Sequence, residues 1–187
     1  LIMAICGRQL IRENELPENT VVATRYSNLG LQESLAELDG QVVTTKNGDR
    51  YVLAEMLEHG YKLGGEKSGH IIFLDYNTTG DGILTALQLL ETMVKQETPL
   101  SKLATEMTAF PQLLVNVEVA QKEKWQDNQA IAEVIAEVEE QLGRSGRVFV
   151  RASGTEPVIR IMVEGKDEAQ LEQLATQISE VVRQELN

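Results

Sequence analysis

The apolar residues Ile2, Ile5, Cys6 and Leu10 recur at helical spacing with no N-cap ahead of them, so the chain opens inside a helix. From there to about Glu97, short apolar runs alternate with helical ones. Residues 20–24, 41–45 and 71–74 read as strands, and 29–38, 49–59 and 82–96 read as helices. This alternation predicts an α/β domain with a mainly parallel mixed sheet and covering helices. Gly60 suits the end of one helix, and Asp81 can cap the next. In that second helix Ile83, Leu87, Leu90 and Val94 fall on one stripe, which is expected to be buried.

Thr98-Pro99 breaks the rhythm, 101–107 reads as a short helical connector, and Phe110-Pro111 introduces a different pattern. The expected organisation is a first domain over 1–98, a linker or hinge over 99–111, and a second domain over 112–187. The second begins with a strand alternating through Leu113, Val115, Val117 and Val119. A helix follows with Ile131, Val134, Ile135, Val138 and Leu142, capped by Asp127 and closed by Gly143. Two strands, 147–150 and 158–163, precede a last helix carrying Leu171, Leu174, Ile178 and Val181. The order β-α-β-β-α predicts a small α+β domain with an antiparallel sheet and two helices. The mid-helix opening at Leu1 also suggests the C-terminal part of a longer protein.

Composition narrows the function classes. With 29 acidic and 17 basic residues the formal charge is −12, which repels nucleic acid and anionic membranes, so neither is expected as a partner. No apolar run approaches a membrane span, and the first six residues lack the basic start of a secretory signal. The single cysteine, Cys6, lies on an apolar helix face, reads as core filler, and favours a reducing, cytoplasmic location. His59 and His70 are the only histidines, and neither has a second ligand at metal-binding spacing, so no metal site is expected. His59 suits a helix C-terminus as a dipole partner.

Against that acidic background, Arg151-Ala152-Ser153-Gly154-Thr155-Glu156-Pro157 stands out, with Arg160 just beyond. A guanidinium fork matches phosphate oxygens bidentately, while hydroxyls and amides freed by a glycine fill the remaining directions. The plainer alternative is a hairpin turn, which Gly154 and Pro157 would also suit. A second loop, Gly64-Gly65-Glu66-Lys67-Ser68-Gly69-His70, suits a sugar: a carboxylate accepts from vicinal hydroxyls, Ser68 donates and accepts, and glycines admit close approach. Its alternative is a polar turn. It is not a nucleotide P-loop, because Glu66 interrupts the Gly-Lys adjacency and would set a carboxylate among phosphates. His70 could move protons at a hydroxyl or position one. In Gly48-Asp49-Arg50, Arg50 could steer an anion, or Asp49 could cap the next helix with Arg50 solvated. Glu66 and Asp81 as a glycosidase pair are set aside, since Asp81 already has a capping role.

Gly65 to His70, the run Asp75-Tyr76-Asn77-Thr78-Thr79-Gly80-Asp81-Gly82 and Arg151 to Pro157 together resemble the α-D-phosphohexomutases, in family order and over essentially the whole chain. Gly48-Asp49-Arg50-Tyr51-Val52 looks like the form found in bacterial members that act on glucosamine phosphate. Such enzymes have four domains, and this chain is similar to the third and fourth. The family's phosphoserine loop and its Asp-Gly-Asp-rich magnesium loop have no counterpart here. The resemblance therefore implies Mg2+ in a full-length enzyme with its ligands outside these residues. It also implies missing N-terminal domains as partners, and no turnover by these residues alone.

The implied reaction interconverts glucosamine 6-phosphate and glucosamine 1-phosphate through a bisphosphate, so the hexosamine phosphate must bind in two orientations. By resemblance, Arg151, Ser153, Gly154 and Thr155 hold the non-reacting phosphate, with Arg160 a further candidate. Gly65, Glu66, Ser68 and His70 meet the sugar. His70 and Arg50 would support the transferring phosphoryl group, where positive charge offsets developing negative charge. The alternatives are a mannose or glucose phosphate substrate, or a non-catalytic phosphosugar-binding module.

Overall fold

The computed structural model describes residues 1–187, with the side chain of Arg144 outside the described set. The chain divides into two compact units, Leu1–Ala109 and Phe110–Asn187.

In the first unit α1 (Ile2–Arg12) precedes β1 (Thr20–Thr24), α2 (Leu29–Ala36), β2 (Gln41–Thr45), α3 (Asp49–His59), β3 (Leu63–Gly65), β4 (Ile71–Phe73) and α4 (Gly82–Lys95). The strands form one sheet in the order β2-β1-β3-β4. β1 pairs in parallel with β2 and β3, and β4 returns antiparallel to β3. This is the expected mixed, mainly parallel sheet. Alternation along β1 divides the core into two layers. Val21 and Ala23 join Ala4, Cys6, Leu31 and Leu35 from α1 and α2, whereas Val22 faces Val52 and Met56 from α3. Burial pushes the Cys6 thiol up to about 11, as befits a core residue. β3 carries little strand signal because two of its three residues are glycines. Gly64 is needed there, since a Cβ would stand 2.6 Å from Met56 Sδ and 2.7 Å from Val52 Cγ1.

One expectation for α4 fails and one holds. The stripe on α4 is exposed: Ile83 at 78%, Leu87 at 58%, Leu90 at 53% and Val94 at 76%. The helix instead buries Thr85 and Thr92, whose hydroxyls donate to the carbonyls of Asp81 (2.7 Å) and Gln88 (3.0 Å) and so pack as apolar groups. Asp81 does cap α4, accepting from the amides of Ile83 (2.9 Å) and Leu84 (3.0 Å).

The stretch expected as a linker divides between the units. Residues 99–109, with α5 (Leu100–Leu103), fold into the first, where Leu103 and Met107 are buried. Glu106 receives Arg8 Nε and Arg12 Nη2, both at 3.0 Å, and Arg8 also donates to the carbonyl of Ser34. At Gly30 the approach is so close that a Cβ would lie 1.9 Å from the carbonyl oxygen of Thr108. Helix propensity alone would reward Gly30→Ala by up to about 1 kcal/mol. The clash with backbone outweighs this, and we expect a net loss of about 1–2 kcal/mol in denaturant titration. A variant as stable as the parent would show that 104–109 yields at no cost.

The second unit contains β5 (Gln112–Glu118), α6 (Gln129–Leu142), β6 (Arg147–Ala152), β7 (Val158–Glu164) and α7 (Glu168–Leu186). Its antiparallel sheet has the order β5-β7-β6, and both helices contribute to one core around Ile159, Ile161, Val163, Val138, Leu171 and Ile178. This is the expected α+β domain. The cap of α6 is Asn128, not Asp127: its side chain accepts from the amide of Ile131 at 3.1 Å, one residue later than the sequence suggested. Gly143 ends that helix at φ 55°.

Candidate functional site

Because β1, β2 and β3 run parallel, their carboxyl ends meet at one edge of the sheet, where α/β folds bind ligands. Arg25 follows β1 there, Gly48 and Arg50 follow β2, and Glu66 follows β3. Arg25 carries no motif, and only the strand order reveals its place. Glu66 has one carboxylate oxygen anchored by the amide of Gly48 at 2.9 Å, which joins two segments read separately in the sequence. Its backbone closes the turn: the Glu66 amide donates to the His70 carbonyl (2.9 Å), and the Gly69 amide donates back (3.1 Å) with Gly69 at φ 105°. The other oxygen lies 3.8 Å from His70 Nδ1, which is 3.4 Å from Ser68 Oγ. Glu66, Ser68 and His70 thus converge at the surface, His70 with its side chain 58% exposed.

Two neighbours behave differently. Gly65 is buried within β3 opposite Ile71, and a Cβ there would come within 2.6 Å of the His70 carbonyl. Its glycine is explained by packing, whereas the exposed positions begin at Lys67. Arg50 is exposed and turned onto Tyr51, with Nη2 donating to the phenol oxygen at 2.7 Å and the guanidinium 4.6 Å from the ring centre. Gly48 rather than Asp49 is the N-cap of α3, and Asp49 Oδ1 accepts from the amide of Arg50 at 2.8 Å. The run 75–82 backs the loop, since a Cβ at Gly80 would stand 3.3 Å from the His70 ring. His59 closes α3 beside Glu55 (3.3 Å) and stacks on Tyr61 at 5.5 Å.

In the second unit, Arg151 and Arg160 are direct cross-strand partners of β6 and β7, so both project from the same face. The loop between these strands is pinned from within. Ser153 is buried, its amide donates to the carbonyl of Val158 (2.9 Å), and its Oγ accepts from the amide of Glu156 (3.2 Å). Ser153 Oγ therefore serves loop structure, while Gly154 and Thr155 stay exposed at the tip. Among the described residues, none of the loop's hydrogen bonds uses the amides of Gly154 or Thr155. Arg160 Nη2 donates to Glu156 Oε2 at 2.5 Å. Sequence reading missed Lys122, whose ammonium donates to the carbonyls of Ser153 (2.9 Å) and Glu156 (2.8 Å) and braces the loop from below. Lys122 is remote in sequence and belongs to no motif.

This arrangement suits an anion: a braced loop offers amides at its tip beside two guanidinium groups on one sheet face. No group of three His, Cys, Asp or Glu residues disposed to hold a metal occurs among the described residues. Nor, among them, is any helix long and apolar enough to cross a membrane.

The chain is similar to known proteins over nearly its whole length. The chain is 54% identical over 185 residues to the phosphoglucosamine mutase of Brevibacillus brevis and 52% identical to that of Syntrophotalea carbinolica. In each case 99% of the chain is covered, but only 41% and 40% of the relative, so the chain spans about two fifths of their length. Among solved structures, the N-acetylphosphoglucosamine mutase of Aspergillus fumigatus superimposes with a TM-score of 0.81 at 21% identity, over 98% of this chain and 42% of that one. An N-acetylglucosamine-phosphate mutase in its substrate complex gives 0.77 at 23% identity, over 97% and 43%. Domain III, the alpha/beta/alpha domain of phosphoglucomutase/phosphomannomutase, matches residues 1–110, and the C-terminal domain of the same enzymes matches 114–181. With both of these domains accounted for in order, the chain belongs to the phosphoglucomutase/phosphomannomutase family.

Proposed function

We propose that these two units form the sugar- and phosphate-binding part of a phosphoglucosamine mutase, which interconverts glucosamine 6-phosphate and glucosamine 1-phosphate. The observation that carries this reading is the 54% identity to such an enzyme across 99% of the chain. The two loops supply the matching chemistry. Glu66, with Ser68 and His70 beside it, meets sugar hydroxyls. Arg151 and the tip of its loop, through Gly154 and Thr155, hold the phosphate that is not reacting, with Arg160 on the same face and Ser153 keeping the loop in shape. Arg50 and His70 add positive or proton-donating groups near the phosphoryl in transit. A substrate that must bind in two orientations is well served by one grip specific for phosphate and another for a hydroxyl edge.

The proposed mutase is completed by two further domains of the same polypeptide, carrying the phosphoserine and the Mg2+ that supplies electrostatic stabilisation to phosphoryl transfer. A related structure, from Aspergillus fumigatus, holds GlcNAc-6P and magnesium. The described residues offer no metal ligand set, and none of the roles assigned here passes through the metal. A cytoplasmic location accords with the single buried thiol.

The test is direct. The polypeptide containing this chain should interconvert the two glucosamine phosphates, faster than it interconverts those of glucose or mannose, and the 187-residue chain alone should not. Turnover by the isolated chain would overturn the division of labour. A preference for mannose or glucose phosphate would overturn the substrate. Binding of sugar phosphate without turnover by the whole polypeptide would make it a binding module.

A further inference from the structure

Helix α4 has two apolar faces and covers only one. Thr85 and Thr92, seven residues apart, mark the buried side with their hydroxyls satisfied internally, and Leu84 and Leu89 pack against the core. Ile83, Leu87, Leu90 and Val94, at spacings of four, three and four, line the opposite side over about 16 Å of helix. All four are more than half exposed. The flank does not dilute this stripe with free charge, because Lys95 is held between Glu13 (2.9 Å) and Glu91 (3.0 Å). A helix that is apolar on both sides belongs in an interior, and a contiguous exposed patch of this kind marks an interaction surface.

We propose that this stripe is the seat of another domain of the same polypeptide, the one that precedes this unit. The proposal rests on the reading above only in taking the chain as part of a longer mutase-like protein. The matched domain is the third of its family, and about three fifths of each relative's length lies outside the match. The path of the chain agrees. α1 runs alongside α4, with Gln96 Nε2 donating to Gln9 Oε1 at 2.8 Å, and α1 begins at Ile2, where Leu1 and Ile2 are themselves 56% and 36% exposed. The preceding domain is tethered through α1, which packs on α4, so it is held near this unit at high effective concentration. A second copy of a chain with charge −12, or an anionic bilayer, meets repulsion instead.

The experiment introduces Leu87→Asp with Leu90→Asp, and separately the milder Leu87→Ala, into both the 187-residue chain and the full-length polypeptide. In the chain alone both variants should melt with the parent, because the side chains are already in water. In the full-length protein the double variant should lower the first melting midpoint by about 4 °C or more, and Leu87→Ala by less. It should also open the region before Leu1 to limited proteolysis. An unchanged full-length midpoint would overturn the proposal. So would a concentration-dependent dimer of the chain that the double variant dissolves in light scattering, which would assign the face to a second copy. Cosedimentation of the chain with phosphatidylglycerol vesicles, lost in the variant, would assign it to a membrane and overturn the proposal equally. Melting does not depend on the substrate: if the polypeptide fails on glucosamine phosphate but shows the loss, the docking face stands and only the activity reading falls.

Discussion

Arg147→Ala should unfold the second unit more easily by about 3–5 kcal/mol, the scale of a buried ion pair that loses one partner. Glu164 is completely buried in β7, and Arg147, its cross-strand neighbour on β6, donates Nε and Nη2 to Glu164 Oε2 at 2.7 and 2.6 Å. Removing the fork leaves a carboxylate in the interior without its main charge partner, a far larger penalty than the pair's own net contribution. Trp125, the only tryptophan, packs against this core, so its fluorescence in a denaturant titration reports this unit. Replacing both partners together, Arg147→Met with Glu164→Leu, should recover most of the loss. A loss under about 1 kcal/mol in Arg147→Ala would mean that Glu164 finds other donors.

That pair shows what periodicity can and cannot reveal. Alternation placed β5, β6 and β7 well, because side chains on a half-buried sheet repeat every two residues, and the two sheets have the predicted class. Glu164 broke no pattern, since a charged residue at the end of a strand reads as solvated until the register sets Arg147 opposite. The α4 stripe failed for the converse reason. Periodicity reports which residues share a face, and the more apolar face was assigned to the core. Two threonines with internally bonded hydroxyls filled that role instead. β3 was missed because Gly64 and Gly65 carry no strand propensity; the crowding of Met56, Val52 and the His70 carbonyl explains them only once the fold is known.

The candidate site divides in the same way. Loop motifs were legible because their chemistry is local: Glu66, Ser68 and His70 lie within five residues, and Arg151, Gly154 and Thr155 within five more. What supports them was not, because it arrives through the fold. The Gly48 amide reaches Glu66 across the ends of neighbouring strands, Lys122 reaches two carbonyls from thirty or more residues away, and Arg160 meets Glu156 over the turn. Ser153, read as a ligand hydroxyl, is occupied with the Glu156 amide, so the exposed hydroxyl available at this loop is that of Thr155.

In the full-length polypeptide, Arg151→Ala should weaken sugar-phosphate binding by about 1.5–3 kcal/mol, the scale of a charge-assisted hydrogen bond, or roughly 10- to 150-fold in Kd. Arg151 is half-buried near the end of β6, beside a tip whose amides make no hydrogen bond among the described residues, and it faces the same way as Arg160. The loop's bracing hydrogen bonds run through Ser153, Val158, Glu156 and Lys122 and survive the substitution, whereas the 3.4 Å contact from Arg151 Nη1 to the carbonyl of Ala152 is lost, so Trp125 fluorescence serves to show that the variant is still folded where affinity is measured. Among folded variants the loss of affinity should fall on the phosphate. Affinity for glucosamine phosphate and for inorganic phosphate should drop together, with a weaker dependence on salt. Arg151→Lys keeps the charge but not the planar fork, so it should recover only part of the affinity. Arg160→Ala would be harder to interpret, because it also releases Glu156 beside the loop. Calorimetric titration of the two Arg151 variants decides the matter: unchanged affinity in Arg151→Ala would remove this loop from phosphate binding. Full recovery by lysine would reduce its role to charge without geometry.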